Sequence, residues 1–349
     1  MSQSAKRLPP LVDEGALKVY LDAHFGSSSE LSARRHKAGH SNETFFVRYG
    51  DDEFVLRRPP SGAFLPTAHD VSREYRVLHA LGTTDVRSPR TVLMCTDETV
   101  IGAPFYLMER VHGVVVRSEP PERFDARARA RLGEEMIDAL AEVHGVDIDA
   151  SGLGDFGKAQ GYLERQLRRW SGQLELTLPM TRPLPDLQTL GEWLGDNRPE
   201  SPPTTLVHGD YKLDNVMFAD DAPTLVTILD WEMSTLGDPL ADLGWMASFW
   251  LEDGDKDADV LSDLNRVTML PGFRRRAELV RRYEERTGRD AAALDWYRVL
   301  ATWKLAILLE GSYARHLAGM TDDPFFARME GAVPALARRG LTIAAGVTS

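Results

Sequence analysis

Apolar positions fall into two regimes along the chain. Leu11, Val12, Leu17, Val19, Tyr20, Leu21 and Phe25 predict a short helix over 11–25, broken by Ser27, Ser28 and Ser29. Aromatic and β-branched residues then dominate: 44–49 and 53–58 flank Gly50, Asp51 and Asp52, which predicts a hairpin, and Pro59 and Pro60 end its second strand. Tyr75, Leu78 and Leu81 predict an amphipathic helix over 72–81 with Glu74 on another face, and 91–94 and 105–109 read as further strands. Beyond Val111 the period becomes helical, over 127–144, 162–170, 277–286 and 296–317. A strand-rich front and a helix-rich remainder predict two lobes, 1–110 and 111–349, without internal repeats or low-complexity segments.

Two short apolar strands interrupt the helical regime, and each ends on reactive side chains. Residues 204–207 lead into His208, Gly209, Asp210, Lys212 and Asn215; Ile228 and Leu229 lead into Asp230, Trp231 and Glu232. The order and spacing match the catalytic and metal loops of kinases. A hydroxyl attacking a phosphoryl group needs a carboxylate to position it and take its proton late, which Asp210 can do. A hard cation bridging phosphates takes oxygen ligands, one neutral from Asn215 and one charged from Asp230. Lys212 is placed to reach the transferred group as a point charge. His208 reads as structural, bonded to backbone near the metal loop.

Other polar residues receive plainer readings. Gly152, Gly154 and Gly157 satisfy a dinucleotide fingerprint, and Asp155, Phe156 and Gly157 the metal-binding tripeptide of protein kinases, but a helix precedes them and Asp155 comes before Asp210, so a turn is expected. His144 ends an apolar helix face and is expected to be buried and satisfied, and Asp242 to fix backbone around the catalytic loop. Lys304, Glu310, Arg315 and His316 punctuate 296–317 on a substrate-facing wall or at its solvent edge, with the solvent edge preferred. Trp170 and Trp245 are assigned to the core.

Composition narrows the class. At 349 residues and 43% hydrophobic, the chain can bury two cores. A formal charge of −12 disfavours nucleic acid. Cys95 is the single cysteine, so no intrachain disulfide forms and a reducing cytoplasm is the expected home. The first residues lack a signal peptide's apolar stretch, and Lys304 and Glu310 interrupt the most apolar helix, so no membrane span is expected.

The chain resembles the small-molecule kinases of the aminoglycoside phosphotransferase and choline kinase type. The likeness rests on His208-Gly209-Asp210 with Asn215, on 228–232, and on Gly237-Asp238-Pro239-Leu240-Ala241-Asp242-Leu243. Through 54–60, 162–166 and 231–239 it is most similar to the branch related to kinase-like modules joined to acyl-CoA dehydrogenases. The resemblance implies a two-lobed α+β, protein-kinase-like fold with a small antiparallel-sheet front lobe and a larger, mainly helical rear lobe. It implies ATP and Mg²⁺ as cofactors and a small-molecule hydroxyl as acceptor, with a hydroxyacyl group or hydroxyacyl-CoA suggested by the branch. An aminoglycoside or choline-like amino-alcohol kinase is one alternative; a nucleotide-binding module that transfers nothing is the other.

The front lobe takes its roles from the same resemblance. Arg57 stands where the family's phosphate-binding lysine falls, and Glu74 where that lysine's ion-pair partner falls. Arg keeps the charge but presents a wider fork. The phosphate-covering loop corresponds to 38–44, which has one Gly, so Ser41, Asn42 and backbone N–H groups are expected to cradle phosphate. Backbone groups of Glu109 and Val111, in the connection between lobes, are expected to read an adenine edge. The oligomeric state is left open.

Overall fold

The computed structural model describes residues 11–36, 42–60, 70–255, 266–321 and 323–347. They form two compact units, Met1–His112 and Gly113–Ser349.

In the front unit, α1 (Glu14–Phe25) starts on Asp13, whose side chain accepts from the Ala16 N–H, and stops at Gly26 with φ 65°. Five antiparallel strands follow in the order β1-β2-β3-β5-β4: β1 (Leu31–His36), β2 (Glu43–Tyr49), β3 (Asp52–Arg58), β4 (Thr91–Cys95) and β5 (Phe105–Glu109). Along β2, Phe45, Val47 and Tyr49 turn to one face and meet Leu17 and Leu21 of α1, Leu56, Leu93, Phe105 and Leu107 in a single core. The hairpin expected around Gly50 is present, with Phe45 opposite Leu56. Strand β1 carries no such alternation, because Arg34, Arg35 and His36 are exposed at the sheet edge; its place comes from pairing with β2. Helix α2 (Val71–Leu81), capped by Asp70, buries Val71, Val77, Leu78 and Leu81 and packs on β4 and β5. It also buries Glu74, which the helical spacing had set on another face.

The rear unit is built on α3 (Ala126–His144), α4 (Tyr162–Thr177), α5 (Pro185–Asp196), α6 (Pro239–Phe249), α7 (Arg276–Thr287), α8 (Leu294–Leu317), α9 (Pro324–Ala327) and α10 (Met329–Val347). Helix α8 is its axis, touching α4, α5, α6, α9 and α10. Trp296 and Trp303, two turns apart, donate their indole N–H groups to the carbonyls of Leu194 and Leu187 on α5 at 3.2 and 2.8 Å, so two large rings are buried without a polar penalty. Gly244 lets α6 close on α8: a Cβ there would lie 2.5 Å from that of Tyr297. Two ribbons complete the unit, β6 (Thr205–Val207) with β9 (Thr235–Gly237), and β7 (Val216–Phe218) with β8 (Leu225–Ile228).

Glu310 corrects the solvent-edge expectation. It is fully buried on α8, and the Arg182 guanidinium meets its Oε2 at 3.1 Å while also bonding the carbonyls of Met329 and Glu330. Arg182 thereby ties the α4–α5 connection to the start of α10. Arg182→Ala is expected to destabilise the protein by about 3–5 kcal/mol, because it leaves a buried carboxylate without its cation; urea unfolding measures this. Arg315, by contrast, is exposed.

Candidate active site

Strand β6 is wholly buried and pairs Leu206 with Leu236 of β9, which delivers residues 208–210 to the ribbon's end. Gly209 has φ 84°, and a Cβ on it would lie 2.5 Å from the Met233 carbonyl oxygen, so the turn requires glycine. Asp242, in the first turn of α6, holds the turn from beneath: its carboxylate accepts from the N–H groups of His208 and Gly209 at 2.6 and 2.8 Å. Burial works against the Asp242 charge, but bonds from His144 and the backbone outweigh it and keep the carboxyl below the usual range. The role expected for Asp242 is the one it plays.

His208 is completely buried. Its Nδ1 accepts from the Asp210 N–H at 3.2 Å, which places the proton on Nε2, donating to the Leu229 carbonyl at 2.9 Å. The ring is thus a neutral strut between the Asp210 turn and the residue before Asp230. A second link comes from the β7–β8 ladder: Val216 pairs with Ile228, and the Leu229 N–H donates to the Asn215 carbonyl at 2.8 Å, so Asn215 and Asp230 sit at one end of one ribbon.

Four groups converge on Asp210. Its Oδ1 accepts from the Trp245 indole N–H at 2.8 Å, its Oδ2 from the Asn215 amide at 2.7 Å, and Lys212 Nζ lies 3.1 and 3.0 Å from the two oxygens. Lys304 on α8 joins through the loop, donating to the Gly209 carbonyl at 3.1 Å. The Asn215 amide donates its N–H groups to Asp210, to the carboxylate and to the backbone carbonyl at 2.8 Å. Asp230 is the only non-glycine among the described residues with positive φ, at 65°, and it opens the turn Trp231–Met233. Such backbone is tolerated best by Asp and Asn and collects at functional sites. Among the described residues no group of three or more His, Cys, Asp or Glu side chains is gathered as a metal cage.

In the front unit Arg57 of β3 and Glu74 of α2 come together, Nε to Oε2 at 3.4 Å, with Glu74 2% exposed. Asn42 is buried, while Ser41 lies outside the described residues. The Glu109 N–H is taken by the Arg90 carbonyl at 2.9 Å, and its side chain by the Arg90 N–H at 3.0 Å; Val111 follows at the end of the unit.

Two residues escaped the sequence reading. Trp245, assigned to the core, is indeed buried, yet its N–H holds Asp210; its position one helical turn past Asp242 is the signal that could have shown it. Lys304, assigned to the solvent edge, stands instead in a small recess with Tyr162, Gln166, Trp245 and Tyr297, where burial pushes its ammonium down to about 8 against the pull of Asp210 and Asp242. The spurious fingerprint at 152–157 is a turn region, and Gly157 runs against the β9 backbone, a Cβ there falling 2.9 Å from the Leu236 nitrogen.

His144 supports the turn through Asp242. Its Nδ1 meets the Tyr283 hydroxyl at 2.8 Å and its Nε2 the Asp242 carboxylate at 3.3 Å, and burial, only partly offset by Asp242, holds its pKa below 6.5. Below that value the unfolded chain takes a proton that the folded chain refuses, so stability falls with pH by up to about 1.4 kcal/mol per unit. Urea midpoints between pH 7 and 5 are expected to show the fall, flattened in His144→Gln.

A two-lobed α+β scaffold with this loop geometry defines a kinase-like phosphotransferase. The family model of the phosphotransferase enzyme family (APH) matches residues 32–297, and the chain belongs to that family. It is 33% identical over 341 residues to acyl-CoA dehydrogenase family member 11 of Rattus norvegicus, an alignment covering 95% of this chain and 43% of that protein. The chain therefore spans less than half the length of that relative. A Ralstonia eutropha protein provisionally described as an aminoglycoside phosphotransferase superposes with TM-score 0.80 at 32% identity, covering 95% of this chain and 98% of that one. Aminoglycoside phosphotransferase APH(4)-Ia, solved with AMP-PNP and hygromycin B, shares the fold at TM-score 0.55 and 16% identity over 93% of this chain and 98% of that one. No helix among the described residues is long and apolar enough to cross a membrane.

Proposed function

We infer that the chain transfers the γ-phosphate of ATP to a hydroxyl of a small molecule, and that the acceptor is a hydroxyacyl group, carried free or as its CoA thioester. The observation that carries the reading is the Asp210 carboxylate, fixed by Trp245 and Asn215 with the Lys212 ammonium against both oxygens. Asp210 is the base. The acceptor oxygen forms a bond to the γ-phosphorus as the bond to the β–γ bridging oxygen breaks, ADP leaves with that electron pair, and the acceptor proton passes to Asp210. Lys212 moves from Asp210 to the transferring group, so its charge follows the phosphate while the freed carboxylate becomes the better base.

The donor set suits Mg²⁺, with the Asn215 amide oxygen and the Asp230 carboxylate carried at one end of the β7–β8 ribbon. When bound, the ion neutralises phosphate charge as it is transferred. Arg57, positioned by Glu74, takes the phosphate-binding role of the front lobe together with Ser41 and Asn42; the Glu109 carbonyl and the Val111 N–H take the adenine edge. The nucleotide role is supported by AMP-PNP in a protein of the same fold.

A hydroxyacyl acceptor is favoured over a polycationic aminoglycoside by the likeness to acyl-CoA dehydrogenase family proteins. ADP release from Mg²⁺-ATP across hydroxyacyl-CoAs, hydroxy acids, amino alcohols and aminoglycosides tests the reading. Stimulation by the acyl compounds supports it, and stimulation confined to aminoglycosides removes the acyl assignment.

A further inference from the structure

We propose that Trp245 and Lys304 form a two-residue clamp that orients the Asp210 carboxylate, making both positioning residues of the transfer reaction. The proposal rests on Asp210 being the base. A carboxylate's terminal torsion is broad, so no rotamer preference sets the plane of the Asp210 oxygens; neighbours must do so. Lys212 is no permanent anchor, since it leaves for the phosphate, and Asn215, whose amide N–H meets Oδ2 at 2.7 Å, leaves Oδ1 to another donor. Trp245 remains: it is buried on α6, rigid, and reaches Oδ1 at 2.8 Å.

Lys304 acts on that anchor in two ways. Its ammonium lies 4.2 Å from the Trp245 ring centroid and 5.7 Å from that of Trp170, so it draws electron density through the ring face and strengthens the indole N–H as a donor. It also donates to the Gly209 carbonyl at 3.1 Å, pinning the backbone just ahead of Asp210. Burial disfavours the charge of this ammonium, and the Asp210 and Asp242 carboxylates offset it in part. Lys304 lies beyond the 32–297 stretch matched by the family model, so the clamp joins a matched residue to an unmatched one.

Steady-state ADP release from Mg²⁺-ATP, with water as the acceptor, tests the clamp in the full chain. Trp245→Phe keeps the ring and removes the N–H; Lys304→Met keeps the length and removes the charge. Each is expected to lower kcat by about 10- to 100-fold with KM for ATP unchanged. The double variant is expected to be little slower than the slower single, because both act through one carboxylate. Lys304→Arg is expected to recover much of the loss. Unchanged kcat in both folded single variants, fully additive losses, or a raised KM at constant kcat would overturn the proposal. Should Trp245→Phe not fold, Lys304→Met and its Arg rescue decide alone. Absence of ADP release from the wild-type chain, with water and with the acceptor panel, overturns the phosphotransferase reading and the clamp with it.

Discussion

Asp210→Asn is expected to lower phosphoryl transfer by about three orders of magnitude while leaving the fold and ATP affinity nearly intact, a magnitude at the level of losing a general base together with its alignment. The change is isosteric, and the new amide oxygen can still accept from Trp245. What it cannot do is take the acceptor proton. It also turns an N–H₂ toward either Trp245 or the Asn215 amide, which now donates at 2.7 Å, so two donors face each other and the metal-loop amide is disturbed. Lys212 loses its carboxylate partner as well. Rates measured with saturating Mg²⁺-ATP, beside nucleotide affinity from calorimetry, separate these effects: a near-normal rate would remove Asp210 from the chemistry.

Asp230→Ala is expected to abolish turnover to a similar degree, on the order of a thousandfold, through loss of the charged cation ligand. Its structural cost is separate and small. At φ 65° an Ala pays about 1–2 kcal/mol that Asp largely avoids, so the thermal midpoint drops modestly while the activity falls steeply. Asp230→Asn tolerates the same backbone without the charge, and isolates the ligand effect. Titration of rate against Mg²⁺ checks the assignment: the Asn variant should require far more metal, and an Asp230 variant with the wild-type metal dependence contradicts it.

What could be read along the chain, and what could not, divides by how local the signal is. The β2–β3 hairpin was legible because Gly50 and its neighbours punctuate two alternating runs. The turn after β6 was legible because a short apolar strand runs straight into Gly209 and a string of polar residues. Strand β1 was not, since Arg34, Arg35 and His36 face solvent and only the partner strand defines them. Lys304 and Glu310 were misjudged for one reason: a charged residue on an apolar helix looks like a solvent edge until its neighbours are known, and here those are the Gly209 carbonyl and Arg182, distant in sequence. Trp245 shows the same limit, because apolar spacing identifies a buried ring but not what its N–H will meet.

The central claim is chemical transfer to a hydroxyl, and the most direct measurement follows the phosphoryl group itself. Wild-type protein and Asp210→Asn are incubated with Mg²⁺-ATP radiolabelled at the γ position and a hydroxyacyl-CoA, and the organic product is isolated. The account predicts label in a phosphate monoester on the acyl hydroxyl, formed by the wild-type chain and lost in the variant. Label that stays in ATP, or that enters the product equally with Asp210→Asn, would contradict it.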